Sequence, residues 1–198
     1  LRLRRPTPYP LGQQAISTSA ILQAKDFQQA LDALTEIESS GAESADFWQL
    51  LALAHKGLGE LKDAEDSFLK SVQLLPQAHV LTNLANFYRQ QRRNEAAEAR
   101  YQQALELDSS HLPARVNYGQ LLLEVKQLTA SAQQFAAALE QKPEHLNAQI
   151  GLAQASQQLG DQENALALFQ KVLSIDKNNA AALNGLGISL KTLGQGDE

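Results

Sequence analysis

Two short stripes of apolar and small residues, repeated at intervals of about 34 positions, set the pattern of this chain. In one interval Trp48, Leu51, Ala52 and His55 fall on a single face at 3.6 residues per turn, and Ala64, Phe68 and Ser71 do the same further on. Gly57 to Glu60 interrupt the pattern, and Pro76 closes it, which predicts two helices joined by a tight turn. The second-helix rung recurs as Ala30, Ala64, Ala97, Ser131 and Ala165, at spacings of 34, 33, 34 and 34. Four places later stands a large residue each time: Leu34, Phe68, Tyr101, Phe135 and Phe169. A third rung reads Ile37, Ser71, Ala104, Ala138 and Val172. On the first helices a small rung reads Thr18, Ala52, Ala85, Gly119, Ala153 and Gly187. Small residues there allow the helix backbones to approach, while the large rung fills the space beside them.

A helix pair with one apolar face cannot bury it alone, so such units must stack. The spaced residues from Trp48 to Pro76 resemble a tetratricopeptide repeat, a helix-turn-helix unit of about 34 residues. The resemblance implies an all-α, right-handed α-solenoid of five repeats plus an unpaired C-terminal helix. The expected repeats span 11–44, 45–77, 78–111, 112–145 and 146–179, with a half repeat at 180–193 and a tail at 194–198. Only one unit carries the tryptophan, and Lys25, Arg92 and Lys126 replace the turn glycine found at Gly59 and Gly160. Pro113 is expected in the first turn of a helix, where its missing donor costs nothing.

The ends depart from the pattern. Residues 1–10 hold Pro6, Pro8 and Pro10 with Arg2, Arg4 and Arg5, an extended basic leader rather than a helix. At the other end Leu183, Leu186, Leu190 and Leu193 form an apolar stripe with no second helix to cover it. That stripe points to self-association through 180–193, or to truncation of a longer protein. The chain starts at Leu1 and contains no methionine, so it is expected to be a processed or excised piece.

Composition narrows the classes. A formal net charge of −5 argues against nucleic acid as the main partner. With no cysteine there is no disulfide, thiolate metal site or cysteine nucleophile, and the compartment stays open between cytoplasm and periplasm. No run approaches the ~18 apolar residues of a membrane span. The four histidines do not cluster in sequence: His111 and His145 share one loop position, where they read as helix starts, and His55 reads as inter-helix packing. No metal, cofactor or catalytic residue is expected, and the chain is read as no enzyme.

The face of each first helix opposite the core stripe is the informative one. In the resembled family that face lines a concave, peptide-binding groove. Carried onto this chain, the groove presents Leu50, Leu53 and Lys56, after Ile16 and Leu22. Then come His79, Thr82, Asn83, Asn86 and Arg89, followed by Val116, Asn117, Gln120 and Glu124, by Ile150, Gln154 and Gln157, and by Asn184 with Lys191. The expected peptide-contacting set is Leu50, Leu53, Asn83, Asn86, Arg89, Asn117, Gln120 and Gln154. Asparagine and glutamine offer a donor and an acceptor each, so they can pair with peptide backbone whatever its side chains. Asn83 and Asn117 match the asparagine ladder of peptide-holding family members, whereas the cations of the family's carboxylate clamp are absent. The expected function is a scaffold binding a peptide segment of a partner protein. The alternative is a targeting or regulatory arm of a larger enzyme.

Overall fold

The structure, a computed structural model, describes residues 26–41 and 44–194. The expectations for the leader, Ile16, Thr18, Leu22, Lys25 and residues 195–198 lie outside the described residues, as does the side chain of Ile37. Ten helices and no strand occur among the described residues. They are α1 (Phe27–Gly41), α2 (Ala45–Leu58), α3 (Leu61–Leu74), α4 (Ala78–Gln90) and α5 (Asn94–Leu107). The remainder are α6 (Leu112–Glu124), α7 (Leu128–Gln141), α8 (Leu146–Leu159), α9 (Gln162–Ile175) and α10 (Ala180–Thr192). The fold is all-α, that of a tandem helical-hairpin solenoid. Two compact units divide within α4, the first reaching Phe87 and the second starting at Tyr88.

Local chemistry starts and stops these helices. Ser44 caps α2 by accepting the Phe47 N–H, Asp161 caps α9 by accepting from Asn164, and Asn179 caps α10 by accepting from Ala182. Pro113 lies in the first turn of α6. Gly59 and Gly160 end α2 and α8 in the left-handed conformation, at φ 81° and 91°. Arg92 and Lys126 follow α4 and α6 at φ 60° and 65°, the same conformation borne by residues with a Cβ. Their charge favours the carbonyl end of the helix before them, which offsets part of the steric cost.

In the first unit, Ala30, Leu34, Phe47, Leu51 and Ala54 form one buried cluster, with Leu31, Trp48 and Leu50 packed on its edge. Phe27 lies flat on Gly57, where any Cβ would overlap the ring. The Phe68 and Phe87 rings meet at 5.8 Å. Ser71 takes an alanine position of the third rung, and its buried hydroxyl donates to the Ala45 carbonyl at 2.7 Å, leaving no unpaired group.

The second unit repeats this logic. Tyr101 stacks on Tyr118 at 6.0 Å, and Phe135 packs with Val116, Ala138 and Ala148. Phe169 packs with Ala153, Ala165, Val172 and Ala182. Ser131 donates from its buried hydroxyl to the Gly119 carbonyl at 2.7 Å. Polar links join successive turns and first helices: Lys126 donates to Gln158 at 2.7 Å, and Gln157 donates to the Gly185 carbonyl and Ser189 hydroxyl, both at 2.9 Å.

The small rung holds through Ala153 but fails at Gly187. Gly187 is exposed, and a Cβ there would meet nothing within 4 Å. The close approach falls two residues earlier, where Gly151 and Gly185 lie against Phe135 and Phe169 so tightly that a Cβ would overlap either ring. Gly185→Ala should therefore cost about 1–3 kcal/mol as overpacking. Gly187→Ala, at an exposed helix position, should raise stability by about 0.5–1 kcal/mol. Urea unfolding of the two variants should move the midpoint in opposite directions. At the strained turn, Arg92→Gly should raise stability by about 0.5–1 kcal/mol, read from the same curves.

Candidate functional site

The first helices carry the expected binding face, and each unit supplies its own part. In the first unit Leu50 and Leu53 of α2 are half-buried, Leu50 at the edge of the core cluster. Lys56, one turn further, is also half-buried, and burial holds its ammonium below the ordinary lysine range. On α4, Asn83 and Asn86 stand three residues apart, hence on one face, and both are half-buried. His79 is exposed on the same helix, with its Nε2 2.9 Å from Gln49 Oε1 on α2. Thr82 departs from the expectation: it is buried, and its hydroxyl donates to the Ala78 carbonyl at 2.7 Å.

In the second unit Arg89, Gln120 and Glu124 come together. The Arg89 Nε lies 3.8 Å from Glu124 Oε2, and Gln120 donates to the other Glu124 oxygen at 3.2 Å. Arg89 also hydrogen-bonds the hydroxyl of Tyr101, while its Nη1 is buried with no partner among the described residues. Burial is the main reason the Tyr101 phenol is pushed up to about 12; the Arg89 charge opposes that shift, and Glu124 adds to it. The large-rung residue here therefore has a polar end at the face, which the hydrophobic pattern alone does not distinguish from phenylalanine. Its hydroxyl was the available signal, since a buried tyrosine oxygen needs a partner.

Asn117 and Gln154 are half-buried on α6 and α8. Among the described residues neither Asn83 nor Asn117 has a side-chain hydrogen bond. Val116 is not a groove residue: it is buried against Phe135. Gln157 is committed to α10 through its two hydrogen bonds.

The histidines have local structural partners. His145 Nδ1 accepts the Ala148 N–H at 3.2 Å and so caps α8, while His111 precedes α6 with its Nδ1 3.7 Å from Asp108. His55 Nδ1 lies 2.6 Å from Glu60 Oε2. With Asp63 these two bring three candidate ligand atoms within 4.8 Å of one another, though both carboxylates are exposed. The His–Glu contact accounts for the grouping as a hydrogen-bonded pair. No helix among the described residues is long and apolar enough to cross a membrane.

Comparison with known proteins bears on the whole chain. The profile of the tetratricopeptide repeat family matches residues 20–79, 82–144 and 119–182. The human Protein O-mannosyl-transferase TMTC3 is 23% identical over 193 residues, covering 89% of this chain and 21% of that protein. The chain spans between 7% and 21% of the length of the curated relatives it matches. The crystal structure of PilW, a widely conserved type IV pilus biogenesis factor, superposes with a TM-score of 0.83 at 19% identity, over 96% of this chain and 88% of that one. YrrB, a tetratricopeptide repeat protein with an unusual peptide-binding site, gives a TM-score of 0.71 at 20% identity, over 86% and 89%. At these identities the two structures establish a common fold.

Proposed function

This chain belongs to the tetratricopeptide repeat family, and from that premise we propose that it holds a peptide segment of a partner protein on its first-helix faces. The fold is that of a protein–protein interaction scaffold. The contacts assigned to the peptide are Leu50, Leu53, Asn83 and Asn86 in the first unit, and Arg89, Asn117, Gln120 and Gln154 in the second. The observation that carries the reading is that each unit presents a half-buried amide, Asn83 in the first and Asn117 in the second, whose side chain has no hydrogen bond among the described residues. Such amides can pair with an extended backbone without disturbing the core. Leu50 and Leu53 add apolar contact. Arg89 favours an acidic ligand residue, which has to compete with Glu124 for the guanidinium. The peptide-binding site named for YrrB supports the reading by analogy of fold.

A second reading makes the repeats a targeting or regulatory arm of a larger enzyme. The likeness to a much longer transferase favours it, since the chain spans 21% of that protein. The chain itself is read as non-catalytic in both cases, and the complete reading frame separates them.

The test of the groove is calorimetric titration of a partner recovered by pulldown, with unfolding curves alongside. One Asn→Ala change should weaken binding several-fold. Asn83→Ala, Asn86→Ala and Asn117→Ala together should cost roughly 2–4 kcal/mol of affinity if the terms add. Stability should scarcely move. Full affinity in a folded triple variant would place the partner elsewhere.

Self-association through α10 is also proposed. Leu183 and Ile188 are 49% and 47% exposed, whereas Leu186 packs toward Phe169 and Leu190 is half-buried. Light scattering should show dimers that grow with concentration and that Leu183→Lys or Leu190→Lys diminishes. The first substitution should act more cleanly, because it disturbs less of the fold.

A further inference from the structure

A cavity of about 390 Å³ opens between α2 and α3 of the first unit. Its α2 wall is Trp48, Leu51 and His55, the stripe opposite Leu50 and Leu53, so it is separate from the peptide face. The α3 wall holds Asp63, Asp66 and Lys70. Asp63 and Asp66 are one turn apart and exposed, so two carboxylates stand at the rim. Trp48 is half-buried, and Lys70 Nζ lies 6.0 Å from its ring centroid, the outer limit of a cation–π contact. An aromatic wall, two carboxylates and one lysine leave the mouth with an excess negative charge.

The repeat register supplies an independent comparison. Counting 67 residues on takes Ala52 to Gly119 and Ala64 to Ser131, and it takes Trp48 to Arg115 and Ser67, which also lines the cavity, to Gln134. In the second unit Arg115 reaches from α6 to α7: its Nη1 donates to Gln134 at 3.3 Å, and its Nη2 donates to the Ser109 carbonyl at 2.6 Å. At the matching place of another repeat, then, this chain puts its own guanidinium between first and second helix. In the first unit that place holds a ring, two carboxylates and a cavity instead.

We propose that the Trp48 cavity is a socket for an arginine side chain of a partner protein. The planar guanidinium stacks on the indole while its forked donors engage Asp63 and Asp66. Lys70 is the resident cation that the ligand displaces. The socket selects arginine over lysine, because an ammonium can neither stack nor bind two carboxylates in the same plane. A partner segment with an arginine is thus held on the core-stripe side of α2, independently of the amide face.

Trp48 is the only tryptophan in the chain, so its emission reports the socket directly. The probe is the blocked pentapeptide Gly-Gly-Arg-Gly-Gly, with citrulline in place of arginine as the neutral isostere. The expected result is a saturable change in Trp48 emission with the arginine peptide and about tenfold weaker binding of the citrulline peptide. Asp63→Asn with Asp66→Asn should weaken the arginine peptide by about tenfold, whereas Lys70→Ala should tighten it several-fold. Glu140→Gln with Glu144→Gln removes the same net charge from exposed positions at the end of α7 and in the turn after it, in the other unit, and should change nothing. All the altered side chains are exposed, and thermal unfolding confirms that each variant is folded. Equal binding of the two peptides would overturn the socket, as would equal weakening by both neutralised pairs. No saturable response in either the unaltered protein or Lys70→Ala would overturn it as well.

Discussion

The contact on which the rest depends is an aromatic ring laid against a helix backbone that has no side chain to hold it off. Phe27 on Gly57, Phe135 on Gly151 and Phe169 on Gly185 are three instances. Such a contact fixes how closely a second helix approaches the first helix that follows it, and dense packing leaves little freedom to slip. In α2, α8 and α10 one side of the first helix is committed in this way.

Most of this packing could be read from the order of residues. Every described member of the second-helix rungs is buried, from Ala30 and Leu34 to Phe169 and Val172, because each is fixed by a period that recurs without drift. Arg92 and Lys126 were also legible as stand-ins for glycine, since the turn demands a left-handed residue whatever stands there. Gly187 was misread for a physical reason. Its period matches Gly119, yet closeness is decided by which ring faces which residue, and Phe169 faces Gly185.

The binding face was legible only in outline. A rotation of 100° per residue assigns a side of the helix but says nothing of what covers that side. Thr82 and Val116 therefore fell on the predicted face while being buried, one through a hydroxyl turned back to its own helix and the other through Phe135. The grouping of Arg89 with Glu124 and Tyr101 joins three helices, so no local pattern announces it. That grouping changes the chemistry of the face. Arg89 is not a lone cation awaiting an anion but one end of a pair that a ligand must open.

The links from Lys126 to Gln158 and from Gln157 to Ser189 each span 32 positions of the chain. That reach, less than one repeat interval, bears on how the chain finds its structure. The entropy lost in closing a loop grows with the loop's length, and here closure stays short however many units follow. Contact order is then a property of the repeat rather than of the whole chain, which favours rapid folding by local growth. A sequence built this way can lengthen by duplication without its last-made segment having to search for its first.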